Sequence, residues 1–222
     1  MPGTTQTISS RIRQHPGRIR NVALSVAGIL LFAVFIHQPF PLFLPAIGGL
    51  AVTALVIGFS TRHMTIREAF GIGRLNRRIL LYTLPAVLLG VLLGIFTRNR
   101  FELTLIPAGF AGVVFVAPLI GAFEEVVFRG YIQGQLRPVG MIFSIVSASS
   151  VHTCYKLLVI LTLAIPLQFD FFFLIFWTFV GGLLFGTLRE LSGSAIPPII
   201  AHAVFDIVLY GGLATAPVWV WS

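Results

Sequence analysis

Charge is what this sequence has least of. Charged residues are 10% of its 222 residues, and only seven are acidic. A soluble globular domain carries roughly 25% charged residues, so this composition excludes that class and points to a membrane protein. A single cysteine, Cys154, excludes an intrachain disulfide and leaves the redox compartment unconstrained. Lysine is as rare: one residue, against fourteen arginines, within a net charge of +8. No basic stretch is interleaved with aromatics in a polar context, so nucleic acid is excluded as a partner. The arginines sit between apolar runs, where they act as topology signals and as contacts for the anionic lipid of a bilayer. Internal repeats and low-complexity segments are absent.

What is abundant is hydrophobic: 57% of residues. A membrane span needs about 20 mainly apolar residues, and candidates fall at 22–37, 41–60, 79–97, 103–123, 139–155, 157–188 and 195–213, the sixth being one broken span or two short ones. These runs lack the two-residue alternation of barrel strands, so the expected fold is all-α, a polytopic transmembrane bundle of seven to eight helices. The chain divides into a basic tail over 1–21, N-terminal spans over 22–102, a core over 103–214 and a short tail over 215–222. The first apolar stretch has no small-residue cleavage pattern after it and reads as a span rather than a signal peptide. Arg11, Arg13, Arg18 and Arg20 precede the first span, and Arg62, Arg67, Arg74, Arg77 and Arg78 follow the second. Together they predict a cytoplasmic N-terminus in an integral membrane protein, with Arg98 and Arg100 as a violation on the far side. "REAFGIGRLNRR" suggests a short amphipathic helix on the membrane surface. Gly182 and Gly186 share a helix face, a pattern that permits close helix packing.

Ionisable groups inside spans are costly and by default suggest function. Glu125 and Arg129 are i, i+4 and predict an ion pair on one helix face. Glu124 points about 100° away, so Arg129 does not serve both. Burial beside a second carboxylate makes the unpaired acid a strong proton acceptor and a candidate general base. His202 and Asp206 are also i, i+4, a spacing that suits an oriented imidazole, a metal ligand set or contact with a reacting oxygen. His152 stands on a third apolar stretch, and Cys154 faces away from it. Asp170 follows "PLQF" and reads as a structural residue in a break between spans.

Glu-Glu-x-x-x-Arg at 124–129, His152, and His-x-x-x-Asp at 202–206, in that order, resemble the CAAX prenyl protease 2 family. These are the type II CAAX endopeptidases, grouped with bacterial bacteriocin-processing and immunity proteins. The resemblance covers about residues 105–212. It departs at Ala148, where the family usually has Phe, and at Asp206, where Asn is common. It implies an intramembrane glutamate endopeptidase, a hydrolase with a polar cavity open toward the cytosol. Glu124 would activate water with His152, Glu125 and Arg129 would hold the site and contact the substrate's C-terminal region, and His202 with Asp206 would stabilise the oxyanion. No cofactor is implied. Two Glu and two His are compatible with zinc, but the HExxH helix is missing and no thiolate supports such a site. The partner is then a peptide or protein substrate, membrane-anchored ones included, and the lack of added domains suggests a bacterial cell membrane. A non-enzymatic immunity or partner-binding protein of the same fold is the alternative, and a proton-coupled transporter is a more distant one.

Overall fold

The computed structural model describes residues 7–110, 112–163 and 170–213. The tail expected over 215–222 lies outside them, as do residues 1–6. Among the described residues there is helix and no strand. A short helix α1 (Ile8–Gln14) leads into α2 (Pro16–Phe35), followed by α3 (Leu44–Thr61), a single turn α4 (Ile66–Ala69) and α5 (Arg77–Arg100). Next come a 3₁₀ turn at Gly112–Phe115 and an unbroken helical run. That run is α6 (Ala117–Glu125), a π-helix over Val126–Ile132 and α7 (Gln133–Leu136). α8 (Met141–Leu161), α9 (Phe171–Ser192) and α10 (Ile196–Tyr210) complete the bundle.

Among the described residues five helices, α2, α3, α5, α8 and α9, are long and apolar enough to cross a membrane by length and composition. The two other expected spans form shorter elements. Within the segment 103–123, residues 103–110 are non-helical, and α10 has 15 residues, about 22 Å at 1.5 Å per residue. The break expected near residue 156 falls later, because α8 runs through to Leu161. The basic stretch read as a tail is helical from Ile8, with Thr7 capping α1 and Pro16 opening α2. The amphipathic surface helix expected in "REAFGIGRLNRR" is only the one turn of α4. Thr65 and Glu68 close a capping box there, and two N–H/O–H contacts from Thr65 hold the Glu68 carboxyl below its usual range. Gly71, at φ 60°, then ends the helical path.

Small residues set the helix spacing. A Cβ on Gly28 would strike Thr53 and the Gly49 carbonyl, which brings α2 against α3. Gly94 meets Val208 in the same way, and together with Gly90 it seats α5 directly on the backbone of α10. Gly182 and Gly186 lie against Ser149 and Ile145 of α8.

The bundle has two chemically distinct ends. At one end lie the starts of α2, α5, α8 and α10 and the ends of α3 and α9. The contacts that join them include Arg11 to the Val139 carbonyl, Arg78 to the Leu191 carbonyl, and the Ala195 N–H to the Gly71 carbonyl. This end holds every arginine except Arg98, Arg100 and Arg129. At the opposite end Arg98, buried, donates to the Val208, Leu209 and Gly211 carbonyls and to Thr104. It thereby caps the C-terminus of α10. Arg100 pairs with Asp170 at 2.7 Å, and Asp170 accepts the Phe173 N–H as the N-cap of α9. The Phe173 N–H first, then Arg100, hold the Asp170 carboxyl below its usual range. The two arginines that seemed to violate the charge rule are therefore each spent on a helix end or an ion pair. Asp170 is structural.

Candidate active site

α6 delivers Glu124 and Glu125 at its C-terminal end, and the π-helix that follows carries Arg129. A π-helix widens the turn and re-aims side chains, and such segments are frequent at functional sites. α8 contributes His152 and α10 contributes His202 and Asp206. The structure brings all six together, and all six are buried.

Glu125 Oε2 stands 3.3 Å from Arg129 Nε, and neither side chain is exposed at all. Arg129 Nη1 lies 3.0 Å from His152 Nδ1. A guanidinium only donates, so Nδ1 is the acceptor and the proton of a neutral ring sits on Nε2. His152 Nε2 then donates to Glu124 Oε2 at 3.3 Å. Phe128 stacks on the His152 ring at a centroid distance of 4.5 Å. Ala148, the departure noted above, is fully buried in the same apolar cluster as Phe128, so His152 still has an aromatic face against it, supplied by the π-helix.

Two geometric expectations are corrected. His202 Nδ1 contacts Glu125 Oε1 at 3.0 Å rather than Asp206. The i, i+4 pair on α10 is thus not an orienting couple, and Glu125 orients His202 instead. That leaves His202 Nε2 turned toward Glu124 Oε2, 3.8 Å away. Second, Glu124 is not the unpaired carboxylate. Lys156 Nζ sits 2.7 Å from its Oε1, with both side chains buried. The sequence reading missed Lys156, although it is the only lysine and stands four residues after His152, on the same helix face. Gly121 was missed too. A Cβ there would fall on Asp206 Oδ2 and 2.8 Å from His202 Cδ2, so only glycine lets α6 approach α10 at this level.

These groups line a cavity of about 140 Å³. Its floor is Glu124, Arg129, His152, Lys156, His202 and Asp206, and its walls are largely aromatic, with Phe96, Phe173, Trp177 and Phe205. A polar cluster converging under an apolar wall is the form of a binding or catalytic site. Among the described residues no group of three or more His, Cys, Asp or Glu is arranged to hold a metal ion. Beyond the floor, Gln133 donates to the Gly186 carbonyl and to Glu190, and Glu190 is clasped by Arg137 and Arg189. Arg189 also donates to the Arg129 carbonyl at 3.0 Å. This second buried network, also missed, fastens the π-helix to α9.

Residues 106–208 match the family model described as "Type II CAAX prenyl endopeptidase Rce1-like". The match spans a little under half of the chain and contains the whole of the charged cluster. The family is one of proteases, which supports hydrolase activity, and together with the apolar helices it supports an integral membrane protein. No curated protein and no solved structure matches the chain.

Proposed function

We propose that this protein is an intramembrane endopeptidase of the glutamate type, cleaving a peptide bond near the C-terminus of a substrate held at the bilayer. The observation that carries the reading is Glu124, bracketed by Lys156 and His152 on the floor of a cavity, with His202 and Asp206 across from it. Glu124 takes a proton from a water as the water oxygen attacks the scissile carbonyl. The carbonyl π pair moves to oxygen, and the resulting oxyanion faces His202 Nε2 and Asp206. In its imidazolium form His202 donates there, its Nδ1–H being held by Glu125; a protonated Asp206 adds a second donor. Collapse of the intermediate expels the amine, which recovers the proton from Glu124. Each oxyanion donor is worth about 2.7–4 kcal/mol.

Neutralising Glu124 in the first step releases the Lys156 ammonium from its ion pair just as negative charge appears on the substrate. The same ammonium argues against a zinc-centred site, since it already occupies the Glu124 oxygen a cation would need. No cofactor is required. The partition of arginines supports a reading in which the N-terminus and the arginine-rich end are cytoplasmic. With the helical run 117–136 and α10 as short crossings the bundle has seven passes, in what we read as a bacterial cell membrane. The reading is tested by comparing membrane proteomes containing the wild type and Glu124→Gln. Peptides shortened near their C-termini in the first and intact in the second support proteolysis. Identical profiles favour a partner-binding role.

A further inference from the structure

The 62–76 connection between α3 and α5 carries a second concave surface. It is an open groove of about 700 Å³, walled by α4, the chain from Gly71 to Arg74, and Gly193 at the end of α9. Its wall is fastened down. The Gly71 carbonyl accepts the Ala195 N–H at 2.9 Å, and the Gly73 N–H donates to Ser194 Oγ at 3.1 Å. A Cβ on Gly130 of the π-helix would fall 2.6 Å from the Phe70 carbonyl oxygen, so this connection rests directly on that helix. A groove held in this way is pre-formed, and a ligand entering it has little left to order.

Charge at this end of the bundle is unevenly spent. Arg11, Arg78 and Arg189 donate to backbone carbonyls, and Arg137 and Arg189 clasp Glu190. Arg67 and Arg74 line the groove and are exposed, and their guanidiniums have no partner among the described residues. Against them in the groove stands one acid, Glu68, whose Oε2 already accepts the N–H and the hydroxyl of Thr65. Apolar side chains flank the same segment without cover: Ile66 is 74% exposed, Leu75 68%, and Leu81, early in α5, 70%. Uncovered aliphatic groups beside unpaired guanidiniums suit a segment at a bilayer surface, the first toward acyl chains and the second at the phosphates.

We propose that this groove binds the headgroup of an anionic phospholipid, with Arg67 and Arg74 on its phosphate and Ile66 and Leu75 against its acyl chains. Two guanidiniums against one engaged carboxylate favour a headgroup of net negative charge. A zwitterionic headgroup would bring an ammonium to the same arginines. The uncovered apolar residues favour a lipid over a soluble phosphate, which has nothing to place against them. The inference does not rest on the protease reading, since no group of the Glu124 cluster takes part in it. Each basic side chain near an anionic surface is worth about fivefold in affinity (about 1 kcal/mol), so the pair predicts a preference of about 25-fold.

The test uses the full chain with Leu75→Cys in a Cys154→Ser background, labelled with bimane and placed in phosphatidylcholine nanodiscs. Brominated phosphatidylglycerol or brominated phosphatidylcholine is titrated in, and quenching of the bimane gives the relative affinity of the two lipids at that position. A preference for phosphatidylglycerol on the order of 25-fold, removed by Arg67→Gln with Arg74→Gln, supports the inference. These two substitutions break no internal contact of either side chain. Equal quenching by the two lipids overturns it. So does an equal loss on substituting Arg13→Gln with Arg20→Gln, two exposed arginines outside the groove, because the preference would then belong to the general positive field of this face. Inorganic phosphate that abolishes the preference, at an ionic strength matched with chloride, reassigns the groove to a soluble anion and overturns the lipid.

Discussion

Two clusters of charge are buried a few turns apart in this bundle, and they are built differently. In the Glu190 cluster every strong group is consumed by a neighbour: Arg189 by Glu190 and a backbone carbonyl, and Glu190 by Gln133, Arg137 and Arg189. It lines no part of the cavity. In the Glu124 cluster the side chains converge on empty space, and His202 Nε2 and Asp206 face that space. Burying ions costs several kcal/mol each, and a cluster whose ions are all paired offsets this with contacts that hold helices together. An incompletely paired one at the floor of a cavity has capacity left for a ligand. The contrast separates a fastening from a site.

The largest expected effect is on chemistry. Glu124→Gln keeps an oxygen for Lys156 but takes up no proton, and turnover should fall by about 10²–10⁴, the usual contribution of a general base. Circular dichroism and detergent melting should change little. Retained cleavage in the purified variant removes Glu124 from the mechanism. Glu190→Ala should do the reverse, because it strands buried Arg189; losing one half of a buried pair costs about 3–5 kcal/mol. An early thermal transition is expected, and a melting curve equal to wild type would show that the second cluster fastens nothing.

Lys156→Met sharpens the comparison. A hydrogen bond to a charged group contributes about 1.5–3 kcal/mol, so kcat should drop by roughly 10–100-fold with KM little changed, and Lys156→Arg should recover part of the loss. A change confined to KM would make Lys156 a substrate contact instead. Asp206→Asn replaces one donor by another where the acid is protonated, and turnover should stay within about tenfold of wild type, well short of the loss of an oxyanion donor. A loss as large as that of Glu124→Gln would require an ionised Asp206. The smallest effect belongs to chelators: EDTA or phenanthroline should leave cleavage unchanged. Loss restored by zinc would replace the glutamate mechanism with a metal-centred one.

How much of this was legible in the sequence depended on spacing. The i, i+4 relation of Glu125 and Arg129 survives into the structure because both lie on one helical run. His202 and Asp206 have the same spacing, yet the imidazole turned to Glu125, since a partner on a neighbouring helix cannot be read from periodicity. Lys156 was overlooked for a related reason: its partner Glu124 stands on a different helix, and only the packing of the bundle brings the two together. Helix count suffered where polar capping replaced apolar length. The 103–123 run is as hydrophobic as a span but starts with non-helical chain, held in part by Arg98 contacts to Thr104. Hydropathy recorded the greasiness of that segment, not its conformation.

Lys156 has one further consequence. As the only lysine in the sequence, it carries the only side-chain amine, and that amine is sequestered at the floor of the cavity. Amine-directed electrophiles that modify most proteins at many exposed positions have here one side-chain target, deep and ion-paired. Acylation of that position, followed by intact mass, is a native gauge of cavity occupancy. It needs no engineered label and no known substrate, and it should slow whenever a peptide end fills the space above Glu124.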